Sequence, residues 1–139
     1  MKKIRTCVVL LFVAVAVMVA ACTKEDPKVP ESKLVGTWQV PLAAGGDVIQ
    51  GVGGKDLVIC DDHTASLVNF VFDNWKIEGD VLTFSNLIDH GNVYEMEVLK
   101  YEIVEYLDTA MILNGSYTHL IGDSVYLQGD MSGLYRKKK

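Results

Sequence analysis

Trp75-Lys76-Ile77-Glu78-Gly79-Asp80-Val81-Leu82-Thr83-Phe84-Ser85 reads as two strands and the turn that joins them. Leu82 and Phe84 alternate with Thr83 and Ser85, so one face of this run is apolar and the other polar, the period-two pattern of a half-buried strand. Glu78-Gly79-Asp80 supplies the reversal, because glycine reaches positive φ without a Cβ clash. A hairpin of this kind sets the expectation for the whole chain from Lys33 onward. Short runs rich in Val, Ile, Leu, Tyr and Phe recur, cut by Gly, Asp and Asn, and no window carries an apolar stripe at helical spacing.

The expected strands are Leu34–Val40, Asp56–Cys60, Ala65–Phe72, Trp75–Glu78, Val81–Ser85, Val93–Val104, Ala110–Asn114, Tyr117–Ile121, Ser124–Gln128 and Gly133–Lys137. Gly122-Asp123 is a second tight turn, and Gln128 to Gly133 a longer one. Val125 and Leu127 oppose Ser124, Tyr126 and Gln128. The run Val93–Val104 changes phase, with Tyr94, Met96 and Val98 on one face, then Leu99, Tyr101 and Ile103. A one-residue shift moves every side chain to the other face, so a β-bulge or sharp bend is expected near Val98-Leu99. Short antiparallel strands without a helix predict an all-β, up-and-down barrel of about eight strands, with a sandwich as the second choice. Pro41 to Gly54 is Gly-rich and long for a loop, which suits a lid or mouth.

The N-terminus carries a different signal. Met1-Lys2-Lys3-Ile4-Arg5 is basic, Val8 to Val19 is uncharged, and Ala20-Ala21-Cys22 follows. An apolar run this short falls below the ~20 residues of a membrane span and matches a secretory leader. Val19-Ala20-Ala21-Cys22 resembles the lipobox of bacterial lipoproteins. That resemblance implies cleavage before Cys22, a diacylglyceryl group on its thiol, and an acyl chain such as palmitate on the new amino group. Two or three chains hold a protein to a membrane durably, where one does not. Lys24-Glu25-Asp26 resembles the surface-export signal of Bacteroidetes lipoproteins, which implies an outer-membrane protein displayed on the cell surface. The expected organisation is a leader over 1–21, a lipidated Cys22 with a flexible tether over 22–32, and one domain over 33–139.

After Cys22 the chain has 18 acidic against 10 basic side chains, a formal charge of −8. Nucleic acid and anionic lipid both call for a basic footprint, so neither is an expected partner of the domain. Cys60 is the only cysteine left once Cys7 departs with the leader and Cys22 carries lipid, so the domain is expected to be held by its core rather than by a disulfide.

Leu34-Val35-Gly36-Thr37-Trp38, with its Gly-x-Trp at the start of the first strand, resembles the lipocalin family and more closely the lipocalin-like domains of bacterial lipoproteins. The Asp61-Asp62-His63-Thr64 turn, the Trp75-to-Thr83 hairpin and the closing Leu134-Tyr135-Arg136-Lys137 agree in order and spacing. The resemblance covers roughly Lys33 to the C-terminus. It implies that Trp38 and Arg136 close one end of the barrel, and that the interior holds a small apolar or amphipathic ligand. The chain departs from lipocalins proper in being shorter and in lacking their C-terminal helix and disulfide. The alternative reading is a surface module with a filled barrel that binds a protein or glycan. Tyr94, Tyr101, Tyr126 and Trp75 are the candidate ligand or interaction residues.

No catalytic set, metal site or cofactor is expected. Cys60-Asp61-Asp62-His63 holds ligand-type side chains, but neighbours on a strand face opposite ways, and an Asx-type turn accounts for them. Gly51-Val52-Gly53-Gly54-Lys55 misses the phosphate-loop pattern at both ends, with Ile49 and Asp56 where Gly and Ser or Thr belong. His63, His90 and His119 are scattered. Asn114-Gly115-Ser116 has the form of a sequon, and Asp108-Thr109-Ala110 and Asp123-Ser124-Val125 resemble a short O-glycosylation motif of exported Bacteroidetes proteins.

Overall fold

The structure is a computed structural model and describes residues 25–46, 49 and 51–139. The expected leader and Cys22 lie outside the described residues. Ten strands follow one helical turn, α1 (Glu31–Leu34): β1 (Gly36–Gln39), β2 (Asp56–Ile59), β3 (Ala65–Leu67), β4 (Phe70–Phe72), β5 (Asn74–Glu78), β6 (Val81–Asp89), β7 (Tyr94–Leu107), β8 (Ala110–Ile121), β9 (Ser124–Asp130) and β10 (Gly133–Lys137). They form one antiparallel sheet in the order β4-β3-β2-β1-β10-β8-β7-β6-β5, with β9 also pairing β8. The fold is the expected all-β barrel, with ten strands instead of about eight. The sequence also offers ten runs, and two changes to them cancel in the count. Val68 takes φ 55 and splits Ala65–Phe72 into a hairpin. In the other direction, the two runs from Ala110 to Ile121 are one continuous strand. The helical turn is a further difference from the all-strand expectation. Glu31 to Leu34 make a single turn that puts Leu34 wholly in the core and lets its carbonyl accept from Trp38 Nε1 at 2.8 Å.

Barrel closure is incomplete between β4 and β5. There the Trp75 N–H donates to the His63 carbonyl at 2.9 Å, tying β5 to the β2–β3 turn. That turn is the Asx type expected: Asp62 Oδ1 accepts from the Thr64 N–H at 3.0 Å and from the Thr64 hydroxyl at 2.6 Å. Those two bonds hold the Asp62 carboxyl below its ordinary range, the hydroxyl bond contributing most.

Side chains fill the interior. Phe72, Phe84, Tyr101 and Tyr135 touch in series, with centroids 5.9, 6.1 and 5.3 Å apart. All four are fully buried, as are Trp38 and Trp75. Burying one such ring stabilises by about 1.5–3 kcal/mol, and tilted or edge contacts add to that. The Pro41–Gly54 segment contributes buried Ala44, Ile49 and Val52, and the Gly45 N–H donates to the Asp130 carbonyl at 2.7 Å. In its described part the segment therefore packs against the barrel as a plug.

The tether, expected to be flexible, begins to pack before Lys33. The Lys28 N–H donates to Gly79 O at 2.6 Å, and Val29 is buried. Strand direction then fixes the two ends of the molecule. The β5–β6 and β7–β8 turns share one end with this N-terminal segment, and the β6–β7 and β8–β9 turns lie at the other.

Two tyrosines show how tightly the core is specified. Tyr135 donates its hydroxyl proton to Met131 O at 2.7 Å, so the Tyr101 hydroxyl is the donor in the 2.7 Å contact between the two phenols. Burial pushes both phenols above their ordinary range. Tyr135→Phe strands a buried donor and a carbonyl together, whereas Tyr101→Phe removes only the end of the chain. Urea unfolding is expected to show a loss of about 1–3 kcal/mol for Tyr135→Phe and less than half of that for Tyr101→Phe. Equal losses would contradict this donor order.

Candidate functional site

β6, β7 and β8 run past the aromatic core. Beyond Phe84, Leu99 and Tyr117 their upper halves, with β9, form a four-stranded flare that no further strand covers. Side-chain alternation continues without a break at Val98-Leu99, where the sequence suggests a bulge. The register instead shifts between Ile103 and Glu105, and again between Val125 and Leu127. The phase change has another cause: the polarity of the two faces inverts at this level.

Below it, the inner face is apolar. Above it, the inner face carries Asn86, Glu95, Glu97 and His119, together with Ile88, Ile121 and Leu127. The outer face carries Leu87, Met96, Leu120 and Val125, which pair in register across all four strands. Leu87 is 51% exposed, Val125 57% and Tyr94 59%. Met96 and Leu120 between them are half-buried, and an apolar patch partly open to water is a common mark of an interaction surface.

The inner face is pre-ordered by hydrogen bonds. Tyr117 donates its hydroxyl to Glu97 Oε2 at 2.8 Å while its ring packs 5.2 Å from that of Phe70. Glu95 is held by two imidazoles: His90 Nε2 donates to Oε1 at 2.7 Å and His119 Nε2 to Oε2 at 2.5 Å. An ionised carboxylate only accepts, so each Nε2 carries its proton. Tyr126, at the irregularity of β9, stands edge-on to the His119 ring at 5.3 Å and is 67% exposed. The clasp ties the β6–β7 turn to β8. Among the described residues no group of three His, Cys, Asp or Glu is arranged to hold a metal ion.

The sequence candidates separate cleanly. Tyr94 and Tyr126 lie on the flare. Tyr101 does not: its position on β7 faces the barrel axis, and Gly115 opposite it leaves room for the ring. Trp75 is also a core residue, its Nε1 donating to Cys60 O at 2.8 Å. The Trp38–Arg136 pair is corrected too. Tyr135 points inward, so alternation turns Arg136 out. Lys137, in register with Trp38, places Nζ 5.3 Å from the indole centroid and donates to Lys33 O at 3.0 Å. Glu95, Glu97, Tyr117, His90 and His119 form a group that sequence reasoning misses. Its one signal is two acids alternating with apolar residues in Tyr94-Glu95-Met96-Glu97-Val98.

The described clefts lie outside the interior. One of about 410 Å³ runs beside His63, Trp75 and Lys76, and one of about 350 Å³ beside Lys28, Lys33 and Tyr106. A third, of about 330 Å³, crosses Lys100, Glu102, Asn114 and Ser116. Compared with protein-family models, with curated proteins and with solved structures, the chain matches none.

The two imidazole bonds lower the Glu95 carboxyl below its ordinary value of 4.5, the His90 bond contributing most. A depressed acid contributes stability above its unfolded value and loses it as pH falls through the folded value. Carbon-detected titration is therefore expected to place the Glu95 midpoint below 4.5. In Glu95→Gln, the amides of the β6–β7 turn should lose their acid-dependent shift. A midpoint at or above the ordinary value would show that the clasp is absent in solution.

Proposed function

We propose that this chain is a lipid-anchored, non-enzymatic binding module of the bacterial envelope, tethered through Cys22, with the barrel as scaffold and the flare as the surface that meets a partner. The observation that carries the reading is the inversion of polarity on the flare. A strand end that only closed a barrel would keep its apolar face inward, yet here Leu87, Met96, Leu120 and Val125 align on the outer face, Leu87 and Val125 exposed and Met96 and Leu120 half-buried. The filled aromatic interior supports this surface reading over carriage of a small apolar ligand inside the barrel, the function that the lipocalin-like resemblance implies. Leu87, Met96, Leu120 and Val125 suit packing against protein side chains better than against a glycan.

The position of the N-terminal segment agrees. Glu25 is three residues from Cys22 and lies beside Gly79, since the Gly79 N–H donates to Glu25 O at 3.4 Å. Three extended residues reach about 10 Å, so lipid on Cys22 keeps the β5–β6 end near the membrane. The β6–β7 and β8–β9 turns then point away from it, at the far end of strands up to 14 residues long. Surface display on an outer membrane, the location implied by Lys24-Glu25-Asp26, gives the flare access to partners outside the cell.

Two experiments test this. Incorporation of labelled palmitate is expected in the wild-type chain and is expected to vanish in Cys22→Ser. Photo-cross-linkers placed at Leu87 and Val125 in living cells should yield a discrete adduct, while one at the exposed barrel residue Val71 yields none. Adducts from all three positions alike, or from none, would remove the flare as the binding surface.

A further inference from the structure

We propose that the free edge of β9 seats an extended, basic segment of a partner protein as an added strand of the flare, a proposal that rests on the reading of the flare as a docking surface. β9 pairs only with β8, and no described residue hydrogen-bonds to its outer edge between Ser124 and Gly129. Edge strands are ordinarily blunted with lysine, proline, a bulge or cover. This one has neither Lys, Arg nor Pro from Ser124 to Met131. Its one irregularity, at Tyr126, leaves that ring and Val125 mostly exposed. An unpaired edge offers main-chain donors and acceptors in the repeat that an extended peptide satisfies.

Charge selects the occupant. Ser85 to Val98 and Ser116 to Asp130 together contain Asp89, Glu95, Glu97, Asp123 and Asp130, and not one Lys or Arg. Asp123 and Asp130 bracket β9 at its two ends. On the inner face Gly129 lies opposite Tyr117 and Leu127 opposite His119. Gly129 adds no side chain between the edge and the Tyr117–Glu97 pair. A strand added outside β9 lies roughly 15 Å from β7, three strand spacings away. An extended Lys or Arg on its inner face brings the cation within about a Debye length, ~10 Å, of Glu95 and Glu97. A second copy of this chain is a poor occupant, because edge-to-edge pairing sets two such acidic flares against each other.

The test uses the mature chain from Cys22, made soluble by Cys22→Ser, and two ten-residue peptides. One alternates lysine with threonine, and the other glutamate with threonine. The lysine peptide is expected to shift the β9 amides and slow their hydrogen exchange, and to bind at least about tenfold more weakly at physiological salt than at low salt. Glu95→Gln combined with Glu97→Gln is expected to weaken it by about tenfold. Tyr126→Lys, at a site too exposed to disturb folding, is expected to weaken it similarly by putting a cation on the edge. Equal binding of the glutamate peptide, or no response at β9, overturns the proposal. Shifts confined to Leu87, Met96, Leu120 and Val125 overturn the edge as the seat while keeping the flare as the docking surface. Cellular adducts from Leu87 and Val125 without any β9 response likewise overturn the edge and keep the flare.

Discussion

The hydrogen-bonded pair of Tyr101 and Tyr135 at the centre of the barrel is the constraint on which the rest of the structure depends. The two phenols meet from β7 and β10, the strands that flank β8 on its two sides, and the chain of donors ends on the Met131 carbonyl. A buried phenol without a partner is costly, so satisfying both fixes the relative height of the two strands. It also dictates residues elsewhere. A Cβ on Gly115 would stand 2.2 Å from the Tyr101 ring, so β8 must carry glycine at that level. Met131, fully buried, anchors the turn between β9 and β10, with its N–H donating to the Gly115 carbonyl at 2.9 Å. Ser132 adds a bond from the Gly115 N–H at 3.0 Å. The aromatic series through Phe84 and Phe72 then carries the packing across to the incompletely closed side.

A barrel filled in this way separates scaffold from surface. The rings occupy the volume that a calyx would leave open, and the described part of the Pro41–Gly54 segment closes over them with Ala44, Ile49 and Val52. What the fold leaves exposed is the continuation of three strands beyond that core. There side-chain hydrogen bonds add to the ladder that joins the four strands. Glu95 between His90 and His119, and Glu97 under Tyr117, stiffen the inner face. The outer face is left apolar. An ordered inner face, exposed Leu87, Tyr94 and Val125 on the outer face and an unpaired edge set this part apart from the packed barrel.

The Trp38 end is built by the same logic with different residues. The indole N–H caps the carbonyl of Leu34 at the end of the helical turn, while Lys137 covers the ring and reaches the Lys33 carbonyl. The Tyr106 ring meets Trp38 edge-on at 6.4 Å. N-terminal segment, first strand and last strand are thereby locked together. A Gly-x-Trp opening followed much later by an aromatic and basic ending is legible because both halves of that lock are local in sequence. Which cation covers the ring is decided by strand parity at the very end of β10, where Tyr135 in the core turns Arg136 outward.

The sequence by itself determined the class of fold, most strand limits, the Asx turn at Asp62 and the Gly79 hairpin. These follow from period-two alternation and from turn residues, both of which act over a few neighbouring positions. It determined too that Val93–Val104 changes character half-way. Only the tertiary structure decided what that change means. Tyr94, Met96 and Val98 on one face, then Leu99, Tyr101 and Ile103 on the other, is compatible with a bulge or with a regular strand that leaves the core. The choice depends on whether neighbouring strands bury the first set. None buries it fully: β6 and β8 flank β7, Tyr94 stays exposed, and Met96 and Val98 are only half-buried. Burial is a relation between residues far apart in the chain, so the alternation could announce two faces but not which of them meets water.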